Sequence, residues 1–209
     1  MNSTQSVSLK FLLILLLVCF PTLCVGQSAD DDAGNPGEVS ARWARQLSSP
    51  APAVRQEAAE ALARLAAVEQ KKLVEGYHLQ EKNKNVRLAL SWALYRMGKF
   101  DMLFRIVDEL DSGRHDQAVG YLGKLDSPDP LHDYLKVEDK PARIVVGLLE
   151  ALAMLGNKES LTLITPFRDS FAPGVAAAAE HAIEKIESRL GQVEPAKPTR
   201  PRTVEKTPN

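Results

Sequence analysis

Cysteine is all but missing from this chain. Its two copies, Cys19 and Cys24, both lie in the first 26 residues. If that segment is removed, no disulfide, cysteine nucleophile or thiolate-bound metal remains, and packing alone must hold the fold. Aromatic residues make up only 6%, and runs of β-branched residues are scarce, which argues against sheets. No apolar run reaches the roughly 20 residues that a membrane-spanning helix needs. Charge of one sign is lacking too: the formal net charge is −1, so the basic footprint of a nucleic-acid binder is absent. Hydrophobic residues still account for 44% and charged residues for 25% of the 209 positions. That is ordinary globular usage, rich in the Ala and Leu that favour helices.

Catalytic signatures are missing as well. There is no Gly-x-Ser-x-Gly elbow, no Gly-x-Gly-x-x-Gly fingerprint and no phosphate loop. The four histidines, His78, His115, His132 and His181, form no His-Glu-x-x-His motif and no i, i+4 pair. One helix therefore cannot offer two imidazoles to zinc, and a metal site would have to be assembled from separate segments. Solvent-facing histidines are the expectation. Neither enzyme activity, a catalytic residue, a cofactor nor a metal is expected from these patterns.

What is present begins with an export address. Lys10 precedes the apolar run Phe11 to Phe20, which Pro21 breaks before the small-residue exit Cys24-Val25-Gly26. This is a secretory signal pattern with cleavage expected after Gly26, and it implies a secreted or periplasmic protein. Leu23 is too bulky for the lipoprotein pattern that would acylate Cys24. Residues 27–37 are acidic, small and rich in turn formers, and they read as a disordered leader. Residues 192–209 are Pro-rich and mildly basic, which forbids regular structure. That tail is either solvated or an arm making weak contact with an anionic surface.

Between the flanks, residues 38–191 repeat. Residues 54–66 read V-R-Q-E-A-A-E-A-L-A-R-L-A, and 32 positions later residues 86–98 read V-R-L-A-L-S-W-A-L-Y-R-M-G. A third copy fits at 175–187 and a fourth is marked by residues 150–156. In the first copy Val54, Ala58, Ala61, Leu62 and Leu65 share one helical face. Each such helix follows a turn and a shorter amphipathic helix. The expected pairs are 38–47 with 53–67, 71–79 with 85–97, 99–110 with 114–125, 130–137 with 141–155, and 158–168 with 174–190. Gly98, Gly156 and Gly191 stand where C-terminal caps are expected.

The stretch Ser49-Pro-Ala-Pro-Ala-Val-Arg55, followed by an Ala/Leu-rich helix, resembles the HEAT-repeat signature, in the short form also seen in HEAT-like phycobilin lyase domains. The resemblance is strongest at 49–66 and weakest near 111–137. It implies an all-α fold: a short α-solenoid of about five HEAT-like helix pairs with the second helices lining an inner surface. It also implies that Arg55 and Arg87 form a structural ladder, with Glu81 replacing the family's turn Asp in the second unit. Protein or peptide binding by an exported scaffold module is the function this implies. The alternatives are an enzyme subunit related to HEAT-like lyases and an envelope protein anchored by its basic tail.

One stripe stands out within the repeat. Leu88, Trp92 and Tyr95 occupy a register that holds Gln56, Glu60 and Ala63 in the first copy. Their i, i+4, i+7 spacing places them on one face. Either they form a partner-binding hot spot, or they fill the gap toward the third unit as ordinary packing.

Overall fold

A computed structural model describes residues 35–191. The expected signal segment, the leader up to residue 34 and the tail 192–209 lie outside the described residues. Among the described residues the chain forms ten α-helices and no strand. They are α1 (Pro36–Gln46), α2 (Pro52–Arg64), α3 (Lys71–Gln80), α4 (Lys84–Arg96), α5 (Met102–Asp108), α6 (His115–Leu122), α7 (Asp129–Lys136), α8 (Ala142–Leu155), α9 (Lys158–Ile164) and α10 (Val175–Gly191). Short 3₁₀ turns at Val68–Gln70, Glu109–Asp111 and Thr165–Asp169 adjoin α3, α5 and α9. Each of the ten expected segments thus carries a helix.

Local chemistry explains where these helices start and stop. Asn83 accepts the backbone N–H groups of Asn85 and Val86 at 3.0 and 3.2 Å and so caps α4. Asn157 and Ser160 form a reciprocal capping box at α9. The first helix begins earlier than expected. Asn35 accepts the Gly37 N–H, and Pro36 occupies the first helical position, so residues 36–37 belong to α1 and not to a leader. Asn-Pro-Gly was read as turn chemistry, but Pro at the first helical position is equally a start signal.

Helix ends carry a similar lesson. Gly98 closes α4 with φ at 84°, the left-handed conformation expected of a cap. Ala66, the equivalent position 32 residues earlier, adopts φ 47° at the same point after α2. Gly156 caps α8 for a different reason. Its φ is −58°, but a Cβ there would lie 2.5 Å from the Leu152 carbonyl oxygen and 2.6 Å from Ile186 Cδ1. Space, not backbone sign, demands glycine. Arg189 then reaches back from α10 to the carbonyls of Ala153, Met154 and Gly156 at 3.0, 2.9 and 2.6 Å, satisfying the orphan acceptors of α8.

Every even-numbered helix packs on its odd-numbered predecessor, and it also packs on the even-numbered helices before and after it. Burial follows from that order. On α2 the expected face is present in Ala58, Ala61 and Leu62, yet Ala59 and Ala63 are buried too. A helix covered from two sides buries more than one stripe. In α4 the effect is nearly complete: from Val86 to Leu94 every residue except Arg87 is buried. Leu62, Leu90, Leu94, Leu110, Leu122, Leu148, Leu149 and Leu152 are sealed in one continuous core. Each contributes about 1.5–3 kcal/mol relative to exposure.

Of the two arginines expected to form a ladder, only Arg55 makes side-chain hydrogen bonds. Arg55 donates to both carboxylate oxygens of Glu81, at 2.7 and 3.0 Å, and to the carbonyls of Ser49 and Pro50. This contact holds the Glu81 carboxyl below its ordinary range, against the opposing pull of burial. Glu81 also accepts the Asn83 N–H at 2.7 Å, so its acceptors are occupied from within the preceding unit and its own turn. The Arg87 side chain makes no hydrogen bond or ion pair among the described residues. The expectation that Arg87 bonds turn carbonyls or Glu81 is therefore corrected: the acid is already taken by Arg55, and the Arg87 side chain reaches no carbonyl.

Candidate functional site

The aromatic stripe converges on a gap between α2, α4 and α6. Trp92 on α4 is 5% exposed and Leu88 3%, while Tyr95 is half-buried. Trp92 lies between two tyrosines. Its ring stacks on Tyr95, with centroids 5.7 Å apart and planes at 14°. On the other side it stacks on Tyr121 of α6 at 5.6 Å and 3°. Phe100 meets Tyr95 edge-on at 5.7 Å, which closes the row. Leu88 and Trp92 therefore fill the space toward the third unit, and they do not stand out in solvent. Only part of the stripe is reachable, along the wall of the cavity that the rings create.

That cavity, about 320 Å³, is walled by Glu60, Ala63, Arg64, Trp92, Arg96, Tyr121 and Lys124. Three cations surround an aromatic floor. The Arg96 guanidinium lies 5.6 Å from the Trp92 ring centroid, within cation–π range, and grips both Asp126 oxygens at 2.9 and 2.8 Å. Arg64 and Lys124 are exposed at the rim. The one acid in the wall, Glu60, is engaged: its Oε1 accepts the Tyr121 hydroxyl at 2.6 Å and the Gln56 amide at 3.0 Å. Gln117 donates to the Tyr121 oxygen at 2.8 Å and to the Asn85 carbonyl at 3.0 Å, so the phenol is fixed from both sides. Burial first, and then the Glu60 contact, push the Tyr121 hydroxyl well above its ordinary range. It stays protonated and donating. Burial likewise raises Tyr95.

Sequence reasoning singled out Trp92 but missed its ring partner Tyr121, because α6 lies in the unit where the repeat is weakest. The cationic wall had a usable signal. Arg64 and Arg96 are 32 positions apart, the register of the repeat itself.

The histidines also depart from expectation. Only His181 is exposed. His132 is 2% exposed and its Nε2 lies 2.7 Å from the Ser160 hydroxyl. His115 Nδ1 faces the Leu110 carbonyl and its Nε2 the Glu150 carboxylate, both at 2.7 Å. Burial alone would lower the His115 pKa, but those two acceptors together outweigh it, and the net shift is upward. Ser160 and Glu150 come from other helices and Leu110 from the 3₁₀ turn before α6, which is why spacing within one helix failed to find them.

His78 Nε2 lies 2.9 Å from Ser91 Oγ beside a cavity of about 400 Å³ between α3, α4 and α5. A serine and a histidine at that distance invite comparison with a hydrolytic dyad. However, Ser91 is 3% exposed and donates to the Arg87 carbonyl. Burial, and then the charges of Arg87, Lys99 and Arg105, depress the His78 pKa. No carboxylate among the described residues hydrogen-bonds this imidazole. The dyad lacks both an orienting acid and an open hydroxyl.

No protein-family model matches the chain, and no curated protein matches its sequence. The site is therefore read from its own chemistry.

Proposed function

We propose that the chain is an exported, HEAT-like α-solenoid that captures an acidic segment of a partner protein on the face formed by its even-numbered helices. The observation that carries this reading is the cavity wall: Arg64, Arg96 and Lys124 come from three successive units and surround the Trp92–Tyr121 stack. Supporting it, the even-numbered helices contact one another in series, as second helices of stacked repeats do. Residues 1–26 carry the export pattern. Arginines and lysines around an aromatic floor suit carboxylates flanked by apolar or aromatic side chains. Trp92 acts here by shaping the wall and Tyr95 by backing it, whereas Leu88 lines the separate cavity beside His78.

An Asp/Glu-rich peptide with one aromatic residue, followed by fluorescence anisotropy, tests the reading. Binding should weaken as salt rises. The double variant Arg64→Glu/Lys124→Glu should lose it at least tenfold while the thermal midpoint stays within a few degrees of the native value. Equal affinity for the acidic peptide and its Asn/Gln counterpart would reject the proposal.

A further inference from the structure

Away from that cavity, α7 and α9 bring three metal-ligating groups together. Asp129 opens α7, His132 follows one turn later, and Glu159 stands in the first turn of α9. One donor atom from each lies within 4.8 Å of the other two. His132 Nδ1 is 3.8 Å from Asp129 Oδ1. A zinc-class ion holds nitrogen and oxygen donors at about 2.0–2.2 Å, which sets those donors about 3–4 Å from one another. The two carboxylates are exposed, so small rotations of their side chains bring them to that distance.

The buried imidazole gives the second and independent observation. Its side chain is 3% exposed. The Ser160 hydroxyl accepts the Asn157 N–H at 3.0 Å and donates to Asn157 Oδ1 at 3.2 Å. Its remaining lone pair lies 2.7 Å from His132 Nε2 and can accept from the tautomer that carries its proton there. In that tautomer Nδ1 carries a lone pair, makes no hydrogen bond and lies 3.8 Å from Asp129 Oδ1. Asp129 is oriented as well: its Oδ2 accepts the Ser127 hydroxyl at 2.7 Å, and Oδ1 is left for the imidazole side. No lysine or arginine among the described residues pairs with any of the three groups. In that tautomer three electron-pair donors lie together, and the imidazole and one carboxylate are already held from behind in the manner of outer-shell metal partners.

We propose that Asp129, His132 and Glu159 form a binding site for a divalent cation of the zinc class, which clips α7 to α9. Imidazole with two carboxylates suits zinc and its transition-metal neighbours, whereas magnesium and calcium prefer oxygen-only sets. The described residues contain no cysteine, so a metal clip would supply the cross-link that a disulfide cannot.

The full chain, stripped with a chelator and dialysed, is titrated with Zn²⁺ and separately with Mg²⁺ by calorimetry, with thermal midpoints recorded alongside. Saturating Zn²⁺ should raise the midpoint by roughly 5 °C or more, and Mg²⁺ should not. Glu159→Gln alters only an exposed side chain. It should leave the metal-free midpoint unchanged and weaken Zn²⁺ binding about 10-fold or more. The ¹⁵N resonance of His132 Nδ1 should move on Zn²⁺ addition in the native chain. Absence of Zn²⁺ binding, equal binding by Glu159→Gln, or an unmoved His132 resonance would each overturn the site.

Discussion

Between α8 and α10 the buried residues are small or aliphatic: Ala151, Leu152, Val175, Ala179, Ala182 and Ile186. The two helices lie closely along each other, and Gly156 lets Ile186 approach the end of α8. Between α4 and α6 the helices are farther apart, and stacked rings span the distance. Both seams join even-numbered helices, yet the first is sealed along its middle, with a recess at its edge toward α6, lined by Glu150, Ala153, His181 and Lys185, and the other leaves a cavity of about 320 Å³ beside the rings themselves. Large flat side chains fill a gap along their own plane and leave its edges open; alanines leave no gap to fill. In the aromatic seam the recess lies against the packing rings, and the same tryptophan is packing and wall at once.

The largest expected effect tests the open seam. Trp92→Ala should cost about 3–5 kcal/mol in chemical denaturation, because it removes a ring held between Tyr95 and Tyr121. A loss below about 1 kcal/mol would mean that the rings do not bear on stability and that the seam is held elsewhere.

A second experiment uses the tight α2–α4 seam, whose turn side is tied by Arg55. Arg55→Ala should cost about 2–3 kcal/mol, since Glu81 is left largely buried without its partner. Arg87→Ala should change less, as this side chain makes no hydrogen bond among the described residues and acts on Glu109 through its charge alone. Equal losses for the two variants would restore the two-rung ladder.

Enlargement should discriminate the closed seam from the open one. Ala179→Leu, at a fully buried position of α10, should cost about 1–3 kcal/mol by overpacking. Ala63→Leu borders the α4–α6 cavity and should cost less, because the added atoms have a recess to enter. The reverse order would put the slack in the wrong seam.

The smallest effect is pH-dependent and concerns the α6–α8 seam. His115 has its pKa raised in the folded chain. Its contribution is therefore fully present below the unfolded value of about 6.5 and is lost as pH rises through the higher folded value. Glu150→Gln should lower the thermal midpoint slightly at pH 5.5 and leave it nearly unchanged at pH 8.5. A difference that grows with pH would contradict the pairing.

Much of this architecture was legible in the chain. Helical period, the 32-residue register and the turn residues locate all ten helices, because these are local signals that each segment carries by itself. What the spacing could not supply is which helix lies opposite. Ala63 reads as a small residue on a polar register but is buried, because α2 is covered on more than one side. His132 and His115 read as surface histidines, yet Ser160 and Glu150 meet them from 28 and 35 residues away. The candidate cavity was half visible: Trp92 drew attention by its register, while Tyr121 sits in the unit where the repeat pattern fades.

The Tyr121 hydroxyl on Glu60 has a kinetic meaning. It joins residues 61 apart in the chain and bypasses α4, whereas most helix partners here are near neighbours in order. Closing so long a loop costs only slightly more entropy than closing a short one. The bond nevertheless has to wait until α4 has docked on α2 and α6 has docked on α4. A bond made that late is expected to act as a latch: Tyr121→Phe should leave the folding rate nearly untouched and speed unfolding, which stopped-flow kinetics would read.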